Sequence, residues 1–311
     1  MSRKILIVDD LHPIFKETAE KLGFLVNDYP QFSRDETLAV IAEYEVLAIR
    51  TKFKVDKALI DAAPKLRLIA RAGAGMDNID EEYAAQKGIT CINAPEGNCD
   101  AVGEHALGML LSLTNNLRKA DWEVRNKIWD REGNRGFELK GKTIGIIGYG
   151  FMGMSFARKL KGFEVNVLAH DKYKSGFSDE FAREAAMEEI FAQSDVLSLH
   201  IPLTTETRQL ADEGFLASFK KTIFFLNTAR GEIVNTQAVL NAIKDGKIRG
   251  AGLDVLEAEK LPALAEQPWF QELIQSGKVL LSPHVAGWSF ESYRRISEVL
   301  ADKFRAWLEE Q

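Results

Sequence analysis

Residues 142–171 read KTIGIIGYGFMGMSFARKLKGFEVNVLAHD, and this stretch decides the fold. It opens on an apolar run, Thr143 to Ile147, of the length of one buried strand. Gly148-Tyr149-Gly150-Phe151-Met152-Gly153 follows, a complete G-x-G-x-x-G. A helical stretch comes next, with Phe156, Ala157 and Leu160 on one face. A second strand then alternates through Val165, Val167 and Ala169 and stops at Asp171. Gly148 suits the tight turn, Gly150 the approach of backbone to a pyrophosphate, and Gly153 the close packing of helix on strand. Phe151 and Met152 open the helix, whose free N–H groups and positive dipole end face that pyrophosphate. An acid at Asp171 accepts hydrogen bonds from an adenosine ribose and repels a 2′-phosphate, which favours NAD over NADP. Lys172 and Lys174 pull the other way, since a cation there could accept a 2′-phosphate. A glycine-rich turn in some other α/β protein is the alternative. Strand, helix, second strand and acid in register weigh against it.

At 311 residues the chain is too long for one comfortable core and is expected to form two domains. Its 46% hydrophobic and 28% charged residues describe an ordinary soluble protein. A net charge of −6 argues against nucleic acid or an anionic membrane surface as a partner. No apolar run approaches the ~20 residues of a membrane span, and MSRKILIVDD reads as a first strand without a signal-peptide core. Cys91 and Cys99 have neither metal-ligand spacing nor a disulfide framework. They are expected as buried thiols in a reducing cytoplasm, with no metal site.

Outward from the glycine loop the chain alternates strands and helices. Strands are expected at Ile5 to Val8, Val46 to Arg50, Leu66 to Ala72 and Thr90 to Asn93. Beyond the loop they are expected at Asp195 to Ile201, Thr222 to Asn227, Gly250 to Val255 and Val279 to Leu281. The fold class is therefore α/β, with doubly wound parallel sheets. Asp100 to about Lys127 reads as one long helix, followed by a polar arm, Trp129 to Leu139, that packs on another subunit or is a solvated connector.

Ligands of such sheets bind beyond the carboxyl ends of strands. In the first half, Arg50-Thr51-Lys52 offers two cations on one side of an extended segment. Arg71-Ala72-Gly73-Ala74-Gly75 offers backbone amides that can cradle an anion. Solvated charge and a structural turn explain both stretches equally well. In the second half Arg230, Glu259 and His284 follow three strands whose ends a doubly wound sheet gathers into one crevice. A carboxylate beside an imidazole fixes its tautomer and favours its protonated form, giving a proton donor usable near neutrality. An arginine nearby can hold a carboxylate bidentately.

RAGAGMDNID, GYGFMG, HIPLTTET, NTARGEIV, GAGLDVLEAE and SPHVAGW occur in this order, and in them the chain resembles the D-isomer-specific 2-hydroxyacid dehydrogenases over nearly its whole length. The resemblance implies a flavodoxin-like substrate domain (1–98 with 289–311) and a Rossmann NAD-binding domain (99–288), the C-terminal helix returning to the first. It implies NAD-linked interconversion of a 2-hydroxy acid and a 2-keto acid. Arg230 would orient the substrate, His284 would act as acid and base, and Glu259, rather than its rival Glu257, would support His284. Thr228, Ala229, Asp254 and Gly287 match positions near the nicotinamide, and Ile201 and Pro202 positions near the adenosine. Within the family the chain is most similar to short D-3-phosphoglycerate dehydrogenases of serine biosynthesis. Arg50, Lys52, Arg71 and Asn98 match substrate positions there, the amides around Gly73, Ala74 and Gly75 would take the carboxylate, and Arg135 of a partner could add a cation. The C-terminal regulatory domain of longer relatives is not expected, and Trp288 is bulkier than the small residue expected after Ala286-Gly287. Hydroxypyruvate or glyoxylate reduction is the alternative activity, and an NAD-sensing corepressor-like role the alternative of another class. The helix and arm imply a homodimer, and the cleft between domains would close to exclude water.

Overall fold

The computed structural model describes residues 3–311. Two compact units divide the chain: one holds the described residues up to Cys99 together with Trp288–Gln311, the other Asp100–Gly287. The divide lies one residue from each sequence-based boundary, and Trp288 goes with the first unit.

The first unit carries a five-stranded sheet. Its strands are β1 (Lys4–Ile7), β2 (Leu25–Asp28), β3 (Val46–Ile49), β4 (Leu68–Arg71) and β5 (Thr90–Asn93). They lie in the order β2-β1-β3-β4-β5, all parallel. This is the flavodoxin-like order, with its switch point between β1 and β3. β3 and β4 are buried along their whole length because helices cover both faces. One cover is the C-terminal helix Phe290–Glu309, started by a capping box in which Ser289 and Ser292 exchange backbone and hydroxyl hydrogen bonds. Ile296, Leu300, Phe304 and Trp307 recur at helical spacing and pack with Phe15 and Phe24 into one cluster.

The second unit carries seven strands: β6 (Thr143–Ile147), β7 (Asn166–His170), β8 (Arg183–Glu184), β9 (Val196–Leu199), β10 (Ile223–Asn227), β11 (Ile248–Leu253) and β12 (Val279–Leu281). Their order is β12-β11-β10-β9-β6-β7-β8, again parallel throughout. This is the dinucleotide-binding order with one strand added, and its switch point lies between β6 and β9.

Three expectations need correction. The long helix is two helices, Pro95–Thr114 and Leu117–Arg125. Asn116 breaks the run in the left-handed region (φ 52°), which asparagine tolerates, and the arm returns so that the Phe137 amide takes the Thr114 carbonyl. β2 and β8 had no sequence signal: both are sheet edges, one half-exposed and one only two residues long. Cys91 and Cys99 are half-buried rather than buried, Cys91 because β5 is an edge strand. Desolvation still pushes the Cys91 thiol up to about 11. No helix among the described residues is long and apolar enough to cross a membrane, and none of them cluster as metal ligands.

Candidate active site

In the second unit the glycine loop leaves β6 at the switch point. Gly148 is left-handed (φ 93°), and a Cβ there would stand 2.5 Å from the His200 carbonyl oxygen. A Cβ on Gly153 would stand 2.1 Å from the Gly148 carbonyl oxygen. Gly150 differs, because the space its Cβ would fill is open. It caps the helix Phe151–Lys159 without any side-chain hydrogen bond, so the first-turn amides meet no capping side chain. An open glycine beside uncapped amides is a cradle that fits a pyrophosphate. Phe151 is half-exposed and Met152 part-buried at that turn.

Asp171 follows β7. Its carboxylate accepts the Tyr149 amide (2.9 Å) and the Tyr173 amide (3.0 Å), which leaves lone pairs for a ribose. Both nearby lysines are engaged elsewhere: Lys172 pairs with Glu206, and the Lys174 amine donates to the Tyr149 carbonyl at 2.8 Å. Ile201 and Pro202 come just after the carboxyl end of β9, and Ile201 lies beside Gly148.

β10, β11 and β12 are neighbours in a parallel sheet, so their carboxyl ends lie along one edge spanning about 10 Å. Asn227, fully buried at the end of β10, folds the next turn. Its amide oxygen accepts the Ala229 N–H (3.0 Å) and its NH₂ donates to the Arg230 carbonyl (2.9 Å). Arg230 itself is extended, with Nη1 on the Ala229 carbonyl at 2.7 Å. The Thr228 hydroxyl is buried and has no hydrogen-bond partner in the protein, an orphan suited to a polar group of a bound cofactor.

After β12, His284 sits at φ 55°, a strained conformation for a non-glycine residue. Its Nδ1 lies 2.8 Å from Glu259 Oε2, with both side chains part-exposed. Glu257 does not meet it. That carboxylate accepts the Thr236 amide (2.8 Å) and the Gln209 side-chain amide (3.0 Å), holding the start of the helix Thr236–Lys244. Asp254 is 1% exposed, and its carboxylate takes the Ser282 hydroxyl (2.6 Å) and the Val285 and Ala286 amides (both 2.9 Å). Gly287 closes this loop and the unit. Ser282 stood out in the sequence only as part of a polar strand end, without a role, and His105, which touches it at 2.9 Å, did not stand out at all. Their pairing is visible only in the fold.

In the first unit, Asp9 Oδ2 accepts the backbone amides of Arg50 (3.0 Å), Thr51 (2.9 Å) and Lys52 (3.0 Å). The Arg50 guanidinium lies 3.4 Å from the centre of the Trp288 ring. Burial pulls it below its usual range, opposed by Asp9 and Asp10. The Lys52 amine is on the Pro30 carbonyl, so the two cations are engaged separately. Arg71, 9% exposed, lies across Gly73, where a Cβ would meet its Nη1 at 1.8 Å. Asn93 donates to the Ala74 carbonyl (2.6 Å), Gly75 is half-buried, and the Asn98 amide oxygen is buried with no hydrogen-bond partner. Arg135, on the arm of the second unit, is exposed and pairs with Glu132.

Residues 107–286 match the family described as D-isomer specific 2-hydroxyacid dehydrogenase, NAD binding domain. A D-3-phosphoglycerate dehydrogenase of Archaeoglobus fulgidus is 35% identical over 96% of this chain and 56% of its own length, so the chain spans little more than half of that relative. A glyoxylate reductase of Thermofilum pendens is 35% identical over 93% of this chain and 85% of its own length. The structure of Aquifex aeolicus D-lactate dehydrogenase, complexed with NAD and lactic acid, superposes with a TM-score of 0.82 at 27% identity, covering 99% of this chain and 96% of that one.

Proposed function

The chain belongs to the D-isomer-specific 2-hydroxyacid dehydrogenases, and from that premise we propose that it interconverts a D-2-hydroxy acid and its 2-keto acid with NAD(H). The observation that carries this reading is the 2.8 Å contact between His284 and Glu259, at the same edge of the sheet as an open glycine cradle. NAD(H), when bound, would supply or accept the hydride. The Gly150 cradle and the helix amides would hold its pyrophosphate, Asp171 its ribose, and Thr228 a polar group of the cofactor. With Nδ1–H donating to Glu259, His284 keeps Nε2 for the proton that moves to and from the substrate oxygen. Arg230 orients the acid and stabilises negative charge developing on that oxygen.

The finer reading is 3-phosphoglycerate and phosphohydroxypyruvate, a step of serine biosynthesis, supported by relatives of that name and by Arg50 and Lys52 at a switch point. A second reading, reduction of unphosphorylated hydroxypyruvate or glyoxylate, is favoured by Asp9, whose carboxylate already fills the amide cradle at 50–52. We also propose a homodimer, because the second helix and the arm each expose large apolar side chains, Leu117, Trp122 and Val124 on the helix and Trp129 on the arm. Sedimentation at micromolar concentration should give twice the monomer mass.

Purified protein assayed by NADH absorbance on phosphohydroxypyruvate, hydroxypyruvate and glyoxylate tests the function. His284→Ala should lower kcat by about 10² or more. Arg50→Ala should raise KM for the phosphorylated acid alone. Equal effects on all three acids would select the second reading. Absence of any turnover would reject the enzyme in favour of an NAD-sensing role.

A further inference from the structure

His284 is held in a left-handed conformation, and something must hold it there. The cause lies beneath it. The Asp254 carbonyl accepts the His284 amide at 2.7 Å, and the buried Asp254 carboxylate accepts the next two amides, Val285 on Oδ1 and Ala286 on Oδ2. One buried acid thus fixes three successive amides of the loop.

Asp254 is itself oriented from behind. The Ser282 hydroxyl approaches Asp254 Oδ1 at 2.6 Å, while His105 Nε2 lies 2.9 Å from the same hydroxyl and 3.6 Å from that carboxylate oxygen. A carboxylate cannot donate, so the serine must spend its only proton on Asp254. The serine oxygen is then an acceptor toward His105, which requires a hydrogen on Nε2. The chain of donors has one direction: His105 to Ser282 to Asp254, with the loop amides converging on the same acid. His105 comes from the helix Pro95–Thr114 and Ser282 from the residue after β12, so the chain ties a helix to a strand end.

We propose that His105 and Ser282 are positioning residues that, through Asp254, hold the His284 loop in its strained, reactive conformation. The inference rests on the dehydrogenase reading for its consequence but not for its geometry. Neither residue touches the reacting atoms; each acts through another.

The test uses the full-length protein and two readouts. In Ser282→Ala and His105→Leu, kcat for the keto acid that the wild type reduces should fall about fivefold to tenfold, the scale of one lost hydrogen bond. The dissociation constant for NADH, read by fluorescence, should stay unchanged. Ser282→Thr and His105→Gln, which keep a hydroxyl and a donor at similar reach, should restore kcat. Hydrogen exchange of the segment containing His284, Val285 and Ala286 should quicken in the first pair and return to normal in the second. Unchanged exchange in Ser282→Ala and His105→Leu overturns the inference. So does quickened exchange with unchanged kcat in an active enzyme, or kcat loss that neither conservative variant restores. If the wild type reduces no keto acid, the dehydrogenase reading fails on its own, and exchange alone decides whether the chain of donors holds the loop.

Discussion

The two units present the same architectural opportunity at their switch points and use it in opposite ways. Between β6 and β9 the second unit opens a cradle: Gly150 faces free space and the helix after it has no side-chain cap. Between β1 and β3 the first unit closes one, since Asp9 puts its own carboxylate on three successive amides. Backbone N–H groups at a strand end attract an anion in either case. In one unit the anion must arrive from outside, and in the other the chain supplies it. A switch point is therefore a place where a ligand can bind, and side chains decide whether that place is open.

Four substitutions probe this contrast. Gly153→Ala should have the largest effect, because the new methyl would meet the backbone Gly148 oxygen at 2.1 Å. Overpacking of this kind costs about 3 kcal/mol, and NADH binding should be lost with it. A normal melting temperature and NADH affinity would show that the loop is looser than its geometry.

Next comes His200, whose carbonyl abuts Gly148. The residue is half-buried as a whole, but its Nδ1 is shut off from solvent without a partner. Burial lowers the imidazole to about 4. Below pH ~6.5 the unfolded chain takes a proton that the folded ring refuses. Stability is thus complete above that pH and falls, by about 3 kcal/mol, as pH drops toward 4. Urea denaturation of His200→Gln should show a flatter pH dependence in this window; identical slopes in both proteins would reject the role.

Asp9→Ala should cost about 1–3 kcal/mol by stripping three amides of their acceptor. It should also open the first unit's cradle, so that inorganic phosphate raises the melting temperature of the variant more than that of the wild type. An equal response to phosphate would mean that Asp9 was not the occupant that mattered.

Gly150→Ala should have the smallest effect on stability, because its methyl has room. Affinity for NADH should nevertheless fall about tenfold, on the reading that a pyrophosphate approaches that space. Loss of stability with NADH affinity preserved would reverse the assignment of Gly150 as cradle and Gly153 as packing.

The sequence by itself determined both sheets' central strands, the glycine loop and the family. Buried parallel strands are continuous apolar runs, and a pyrophosphate loop needs glycines at set spacing, so both are written locally. It also placed Arg230, Glu259 and His284 after strands on one edge, because alternation of strand and helix makes the strands parallel and turns their carboxyl ends the same way. The family resemblance favoured Glu259 over Glu257 beside His284, but the residues themselves left both open, since two residues along a loop can turn either carboxylate toward the ring; the structure puts Glu259 there. Only the structure put Asp9 under Arg50, Trp288 against its guanidinium, and His105 and Ser282 behind Asp254. These contacts join residues 41, 238, 177 and 28 positions apart. Polar partners at such distances leave no periodicity to read: a hydrogen bond depends on where two side chains end, and that is fixed only when the strands and helices carrying them have packed.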